Sequence, residues 1–197
     1  MSYALHRRYS PIGHGRVEGI DYRTDRPFKS WHRPRLETSL EEWIGLDPPR
    51  LELATLAYDE LKLRGGDRSS RALFDGAEVV PIPWLAKARK RVLRELPPST
   101  NDRLRARVYV VLRGGYTEGN GWYGAYVGQT SKSVEARLLE HRTGVRACRG
   151  LEQHGIELLY SLFDWVNPVR ASDRFAWETR LHSLLVHEVP KVSGDTA

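Results

Sequence analysis

The sequence predicts an α/β protein: a small, mainly antiparallel sheet of three strands flanked by helices and preceded by a basic, mostly helical N-terminal region. Residues 107–189 alternate β-branched runs with amphipathic segments in the order β, β, α, β, α. Residues 39–100 contain helical periodicities separated by proline and glycine pairs. With 40% hydrophobic and 28% charged residues among 197, the composition is that of a folded protein with a real core.

The first 38 residues are expected to form a basic, extended arm. Residues 1–35 hold eight Arg or Lys side chains against three acidic ones and show no periodic apolar pattern. Glycine and proline recur through the segment, which disfavours regular helices and strands. We therefore expect an extended or partly ordered arm that becomes ordered on its partner.

Residues 39–100 are expected to form a helical accessory region that binds DNA or a protein partner. Helices are predicted from a Ser39 cap to Leu46, from Arg50 to Gly65, and over residues 84–96. The helix over residues 84–96 has an apolar stripe, and its other residues are mostly basic. Those basic residues form either a solvated face or a phosphate-binding face. The stripe consists of Trp84 or Leu85, Ala88, Val92 and Leu96, and the basic residues are Lys87, Arg89, Lys90, Arg91 and Arg94.

The composition excludes several classes of protein. The only cysteine, Cys148, cannot form an internal disulfide, and one thiol among scattered histidines does not make a structural zinc site. No apolar run of about 18 residues is present and the N-terminus lacks a secretory signal, so we expect a cytoplasmic protein without membrane contact. A formal charge of +6 and a pI of about 9.6 favour a polyanionic partner.

The region that begins at Arg107 opens with two strands. Val108–Leu112 (VYVVL) is a β-branched run suited to a buried strand. The glycine-rich loop RGGYTEGNGW follows, and the chain returns in the strand YGAYVGQT. We expect the two strands to pair as an antiparallel hairpin.

A helix, a third strand and a last helix complete the predicted order. Ser133 caps a helix that ends at Gly144 and carries Arg137 and His141 four residues apart on one face. A third strand is predicted within residues 157–166 (ELLYSLFDWV). The last helix is predicted to begin at a Ser172 cap and to run through DRFAWETRLHSLLVHEV.

Together these segments resemble the GIY-YIG nuclease domain over residues 105–197. Arg107-Val108-Tyr109 stands at the first motif tripeptide and Tyr126-Val127-Gly128 at the second. Arg137 falls at the catalytic arginine of the family and Glu178 at its metal-binding glutamate. His141 falls at a position that some restriction-type members use.

The resemblance implies a role for each of these residues in the hydrolysis of a phosphodiester. Glu178 would bind one Mg²⁺ (or Mn²⁺) ion together with water, and Arg137 would hold the phosphate through a planar fork of donors. Tyr109 would act as general base or position the water, with the metal and Arg137 favouring its phenolate. Alternatively, His141 would relay that proton. Tyr126 would orient the water or a phosphate oxygen.

The chain also departs from the family pattern. Arg107 replaces a typical glycine, which a strand tolerates when the side chain points to solvent. Ser193 stands where many members have an asparagine, and the loop between the two tyrosine strands is longer than usual. Its residues Tyr116, Asn120, Trp122 and Tyr123 either stack on bases or form a solvent-facing hairpin tip.

Each candidate residue also has a structural interpretation. Tyr109 and Tyr126 could be core aromatics, and Arg137 and Glu178 could be surface charges of helices. For Glu178 the spacing favours the functional role, because Phe175, Leu181 and Leu185 lie at helical spacing from it and place the carboxylate on the apolar face. His141 remains open between catalysis and a solvated histidine at a helix end.

The resemblance implies a Mg²⁺-dependent DNA endonuclease, with restriction or phage defence, or a mobile element, as its setting. Alternatives are a nuclease subunit of a larger nucleoprotein or repair complex and a catalytically silent DNA-binding protein. The expected partners are DNA and a protein partner or a second copy of the chain, with no small-molecule cofactor. Candidate nucleic-acid contacts are Gly128, Lys132, Lys87, Arg89, Lys90, Arg91, Arg94, Tyr116 and Trp122.

Overall fold

A computed structural model describes residues 15–99, 101, 103–143 and 150–194. Within these residues the chain is a mixed α/β protein in which seven helices flank a four-stranded sheet. The helices are α1 (Arg33–Gly45), α2 (Leu51–Leu63), α3 (Asp67–Gly76), α4 (Leu85–Glu95), α5 (Val134–Arg142), α6 (Leu151–His154) and α7 (Arg174–Leu185). The strands are β1 (Arg107–Arg113), β2 (Gly124–Thr130), β3 (Gly155–Leu158) and β4 (Val192–Ser193).

The predicted hairpin forms the centre of the sheet. β1 and β2 pair antiparallel from Arg107 opposite Thr130 to Arg113 opposite Gly124. β3 joins β1 antiparallel and β4 joins β2 parallel, so the strand order is β3-β1-β2-β4. The five inner residues of β1 are all buried, as expected for a β-branched run covered on both faces.

The edges of the sheet differ from the prediction. β3 ends at Leu158, and the rest of the predicted third strand forms two 3₁₀ turns, Tyr160–Leu162 and Asp164–Val166. A short buried apolar run fits a strand or a turn equally well, so its periodicity does not separate them. The prediction of three strands is wrong, because β4 adds a fourth that is only two residues long.

The two helices beside the sheet begin differently. At α5 the Ser133 hydroxyl accepts the N–H of Ala136 at 3.1 Å, which confirms the predicted cap. The Ser172 cap of the last helix is wrong, because this hydroxyl donates to the Asp173 carboxylate at 2.6 Å and α7 begins at Arg174. α7 ends at Leu185, before the predicted end at Val189.

Residues 15–32 differ from the predicted extended arm. They form turns whose apolar side chains Ile20, Tyr22 and Phe28 are buried in the core of the chain itself. The Phe28 ring lies 4.7 Å from that of Trp31 and 5.5 Å from that of Trp43, measured between ring centroids. Aromatic burial therefore orders this segment without a partner, while residues 1–14 lie outside the described residues.

The accessory region contains four helices where three were predicted. α1 begins at Arg33, with proline in its first turn, so Ser39 lies inside the helix and does not cap it. α2 matches its prediction, α3 was not predicted, and α4 matches the helix over residues 84–96. The predicted stripe of α4 is buried throughout. None of the helices in the described part of the chain is long and apolar enough to cross a membrane.

The hydrophobic core continues from the accessory region into the sheet region. It runs from Ile20 to Val189 as one cluster of buried side chains. Buried polar contacts reinforce it: the Glu157 carboxylate accepts the N–H of Glu52 at 2.6 Å, and the Glu52 carboxylate accepts the N–H groups of Tyr160 and Ser161 at 3.1 and 2.7 Å. The helices of the accessory region therefore position the sheet through direct, buried contacts.

Candidate active site

The sheet brings the two tyrosines of the tripeptides together on one face. Tyr109 of β1 lies opposite Gly128 of β2, and Tyr126 lies opposite Val111. Residues two apart on a strand share a face, so Tyr126 and Gly128 lie on the same side as Tyr109. The ring centroids of Tyr109 and Tyr126 are 6.1 Å apart, and both side chains are buried.

Gly128 provides the space that the two rings occupy. A Cβ atom on this residue would lie 2.5 Å from Cζ and Oη of Tyr109 and 2.8 Å from Cε1 of Tyr126. Gly128 is itself buried, so its role in this structure is packing and the predicted contact with nucleic acid is not supported. The glycine of the second tripeptide is therefore needed for packing, because a side chain at this position would displace the tyrosines.

His141 of α5 completes a hydrogen-bonded pair with Tyr109. The Tyr109 hydroxyl and Nε2 of His141 are 2.7 Å apart. Arg137 and Tyr126 also form hydrogen bonds with the Tyr109 hydroxyl, and the tautomer of the imidazole decides which member of the Tyr109–His141 pair donates. Nδ1 of His141 is buried and has no hydrogen-bond partner among the described side chains and backbone. His141 is thus a core residue in contact with the site, and its interpretation as a solvated histidine is wrong.

Burial sets the protonation of this pair. It raises the pKa of the Tyr109 phenol to about 12, against the opposing effect of Arg137. Burial, together with the nearby positive charge of Arg137, lowers the pKa of His141 to about 4. At neutral pH the phenol therefore keeps its proton and the imidazole is neutral, so the phenol can donate to Nε2 in the tautomer that carries the ring proton on Nδ1.

Arg137 and Lys132 are linked by Glu140, a residue that the sequence analysis missed. Nη1 of Arg137 lies 2.9 Å from Oε2 of Glu140, and Lys132 pairs with the other carboxylate oxygen. The hydrogen bond from Lys132, followed by that from Arg137, holds the pKa of Glu140 below its ordinary value. The three-residue spacing between Arg137 and Glu140 on a helix is the signal that predicts such a pair.

Glu178 enters the site from α7. Its side chain is 2% exposed and lies on the same helix face as the fully buried Leu181 and Leu185, as the spacing predicted. Phe175 was expected on that face as well, but it is 52% exposed. The negative charge of Glu178 raises the pKa of Tyr109, so the carboxylate lies within electrostatic reach of the phenol. The interpretation of Glu178 as a surface charge is therefore wrong.

The carboxylate of Glu178 suits one kind of metal ion. In the described part of the chain no three His, Cys, Asp or Glu side chains come together to hold a metal. Structural zinc sites need four protein ligands, whereas Mg²⁺ keeps several waters and is bound by one or two carboxylates plus substrate oxygens. A single buried carboxylate therefore lacks the ligand set of a structural zinc site, and its oxygens are donors of the kind that a hydrated Mg²⁺ or Mn²⁺ ion takes.

Two of the basic residues predicted to contact DNA from α4 serve the fold instead. Arg89 is 4% exposed and donates to the carbonyl oxygens of Tyr22, Thr24 and Asp25 at 3.4, 2.8 and 3.2 Å. Arg91 forms an ion pair with Glu188 at 2.7 Å. The remaining basic side chains of α4 are exposed, namely Lys87, Lys90 and Arg94.

The aromatic residues between β1 and β2 are packed wholly or partly against the rest of the protein. Tyr123 is buried and donates its hydroxyl proton to the carbonyl of Val80 at 2.8 Å. Trp122 is half-buried against the core, with a positive φ of 65°. Tyr116 is half-buried beside Gly124, where a Cβ atom would lie 2.7 Å from its ring. Burial removes the Tyr123 ring from stacking on bases, whereas Tyr116 and Trp122 are only half-buried and their contact with nucleic acid stays a prediction.

Two of the three departures from the family pattern, Arg107 and Ser193, lie close to the tyrosines. Arg107 begins β1 and is half-buried, with its guanidinium 3.3 Å from the carbonyl oxygen of Arg105. Ser193 of β4 pairs with Tyr126. Its hydroxyl accepts a hydrogen bond from Arg113 at 2.8 Å, so a serine at this position holds a second arginine beside the site.

Four elements of the fold thus bring together the five residues predicted for catalysis. β1 supplies Tyr109, β2 supplies Tyr126, α5 supplies Arg137 and His141, and α7 supplies Glu178. Their side chains combine a hydroxyl paired with a neutral base, a guanidinium and a buried carboxylate. Comparisons of the chain with protein-family models, curated proteins and solved structures each found no match.

Proposed function

We propose that the protein is a metal-dependent endonuclease of the GIY-YIG type that hydrolyses phosphodiester bonds in DNA. The observation that carries the proposal is the hydrogen bond between Tyr109 and a neutral His141, with Arg137 and Glu178 beside it. Hydrolysis of a phosphodiester needs a base for the attacking water, donors for the phosphate oxygens and a cation near them. These four side chains supply the base and the donors and offer a ligand for the cation.

Tyr109 and His141 would act together on the water. The Tyr109 oxygen takes a proton from the water while its own proton passes to Nε2 of His141 over the 2.7 Å hydrogen bond. The water oxygen forms a bond to phosphorus, the bond from phosphorus to the leaving 3′ oxygen breaks, and the solvent protonates that oxygen. A phenol whose pKa is raised to about 12 does not ionise by itself near neutrality, so the neutral imidazole is what makes it a base.

Arg137 would bind the phosphate that is cut. Its planar guanidinium can donate to two phosphate oxygens at once, which a lysine ammonium cannot do in a fixed plane. One of its nitrogens is engaged by Glu140 at 2.9 Å, which keeps the guanidinium in place on α5. Glu178 would hold the divalent cation, which supplies positive charge at the phosphate oxygens when bound.

The setting that we propose is restriction or phage defence, or a mobile element, on the resemblance to the family alone. The exposed basic residues of α4 would contribute to binding of the target, because α4 packs against α7, the helix that carries Glu178. Arg180 of α7 donates to the carbonyl oxygen of Glu95 at 2.6 Å and joins the two helices. A protein partner or a second copy of the chain would supply further contacts.

The test is cleavage of supercoiled plasmid and of short single- and double-stranded DNA with Mg²⁺ or Mn²⁺. We compare wild type with Glu178→Ala and with Glu118→Ala, which removes an exposed glutamate from the loop between β1 and β2. Circular dichroism must first show that all three are folded. We expect wild type and Glu118→Ala to cut, and Glu178→Ala to lose at least about 100-fold in rate while it still binds DNA.

Two outcomes would contradict the proposal. Cleavage by Glu178→Ala at the wild-type rate would remove the proposed metal ligand from the mechanism. Failure of wild type to cut any of these substrates with either metal would refute the nuclease proposal for the isolated chain and favour a DNA-binding protein or a subunit that needs a partner.

A further inference from the structure

Three arginines occupy alternate positions just before and at the start of β1. Arg103 and Arg105 are exposed and Arg107 is half-buried, whereas Ala106 between them is fully buried. The Ala106 backbone forms an antiparallel bridge with Val169, with N–H to carbonyl distances of 3.2 and 2.8 Å, which keeps this stretch extended. Alternate residues of an extended chain point to the same side. Arg105 and Arg107 therefore lie on one side, and Arg103 joins them from the turn that precedes this stretch.

These arginines line an open groove of about 530 Å³. The other wall is the turn between β2 and α5, which contributes Ser131, Lys132 and Ser133. The described residues that line the groove thus include four cationic side chains and two hydroxyl groups, with no carboxylate among them. None of the three arginines forms an ion pair within the described part of the chain, although Lys132 pairs with Glu140. The groove therefore concentrates positive charge and hydroxyl donors, and among the described residues a carboxylate offsets only the charge of Lys132.

The groove lies next to the candidate active site. Arg107 and Tyr109 are two residues apart on β1, about 7 Å along the strand, and share a face of the sheet. From the other wall, Lys132 is linked to Arg137 through the carboxylate of Glu140. A chain molecule bound in the groove would therefore continue directly to Arg137 and Tyr109.

We propose that this groove binds the sugar-phosphate backbone of the DNA strand that enters the candidate active site. A phosphodiester backbone carries a regular series of negative charges, which matches a row of guanidinium groups able to form two hydrogen bonds each. The choice of DNA as ligand rests on the proposed function. Arg103, Arg105 and Arg107 then act in binding, and the arginine at the first position of the motif tripeptide is a substrate contact.

The test measures binding of the full chain to a short fluorescent DNA duplex without divalent metal, so that no cleavage occurs, over a range of salt concentrations. The variant Arg103→Ala/Arg105→Ala is compared with Lys62→Ala/Arg68→Ala, which removes two exposed positive charges from α2 and α3, outside the groove. We expect the groove variant to bind at least about tenfold more weakly, with a salt slope reduced by about 2, since each lost phosphate contact removes about 0.9. The control should bind as wild type does, and thermal unfolding should show that both remain folded.

A second variant separates the effect of positive charge from that of the planar guanidinium group. Arg103→Lys/Arg105→Lys keeps two positive charges and should restore most of the salt slope, while two-point donation by the guanidinium groups is lost. Equal affinities and slopes for the groove variant and the control would overturn the proposal, and so would a wild type that binds no DNA.

The binding and cleavage results also distinguish the two proposals. If wild type binds DNA through the groove but does not cut it with either Mg²⁺ or Mn²⁺, the groove stands and the nuclease proposal fails. If wild type cuts DNA and the groove variant has unchanged affinity and unchanged kcat/KM, the nuclease proposal stands and the groove is overturned.

Discussion

Burial shifts the pKa values of Tyr109 and His141 in opposite directions. A buried phenol resists loss of its proton and a buried imidazole resists gain of one, since both charged forms lose hydration. The two residues are 32 positions apart, and only the packing of α5 on β1 brings Oη and Nε2 to 2.7 Å. The tripeptides and the helix spacing placed Tyr109 and His141 among the candidate residues, but they did not predict the hydrogen bond between the two side chains.

The pKa of His141 predicts an unusual pH profile for cleavage. His141 must be neutral to accept the proton, so activity is lost as the pH falls through its pKa of about 4, well below the ordinary histidine value of about 6.5. We expect the single-turnover rate to show no loss near that ordinary value. An acid limb centred near it would contradict this role, provided that circular dichroism shows a folded protein throughout.

A side chain at residue 128 is predicted to lower both stability and cleavage, because Gly128 lies against the two tyrosine rings. Gly128→Ala places a Cβ atom 2.5 Å from the Tyr109 ring and hydroxyl, so one strand or the ring must move. We expect a loss of about 1–3 kcal/mol in the free energy of unfolding and a clear drop in cleavage rate. Urea denaturation measures the loss of stability. Gly119→Ala is the control, because the atom nearest to a Cβ on Gly119 would be 4.0 Å away. Similar stability of the two variants would show that the rings do not need this space.

Among the helices and strands, the sequence predicted those elements whose periodicity spans several turns or a full buried run. α2, α4, β1 and β2 appear where expected, whereas β4, with two residues, is too short to show any alternation. α1 was placed too late because Ser39 resembles a cap, while the proline at residue 34 marks the true first turn. Arg89 stands four residues after Leu85, so the full helical spacing would have placed it on the buried face.

The start of α5 gives a prediction about a single helix. Ser133→Ala removes the acceptor for the N–H of Ala136, and we expect a loss of about 1 kcal/mol in the free energy of unfolding. Because α5 carries Arg137 and His141, fraying of its first turn should also slow cleavage. The neighbouring exposed Ser131→Ala is the matched control in urea denaturation. Equal losses for the two serines would show that the cap contributes nothing.

The accessory region and the sheet are joined by two buried glutamates. Burial raises the pKa of Glu52 to about 7, and burial together with the charge of Glu52 raises that of Glu157 well above its ordinary value. Glu52 lies on α2 and Glu157 on β3, 105 residues apart in the sequence. No local pattern predicts such a contact, because it exists only when the two regions pack together.

This pair predicts how the stability of the whole protein depends on pH. Both pKa values are raised on folding, so the stabilisation is complete below the unfolded value of about 4.5 and is lost as the pH rises through the folded values. A pKa difference of one corresponds to about 1.4 kcal/mol, so the ionisation of Glu52 alone lowers the free energy of unfolding by roughly 3 kcal/mol. We measure the free energy of urea unfolding at several pH values.

The decisive comparison uses Glu157→Gln, whose amide oxygen can still accept the N–H of Glu52 but cannot ionise. We expect this variant to lose less stability than wild type between mildly acidic and mildly alkaline pH. Glu118→Gln, at an exposed glutamate, should keep the wild-type dependence. Parallel curves for wild type and Glu157→Gln would show that this carboxyl does not set the pH dependence.

The proposed catalytic role of the Tyr109 hydroxyl is tested most directly by the single-turnover rate of DNA cleavage for Tyr109→Phe and Tyr123→Phe. Each change removes one buried hydroxyl that forms a hydrogen bond, to His141 in the first case and to the carbonyl of Val80 in the second. We expect both variants to lose about 1 kcal/mol of stability, but only Tyr109→Phe to lose about 100-fold or more in rate. Equal rates for wild type and Tyr109→Phe would contradict the proposed chemistry.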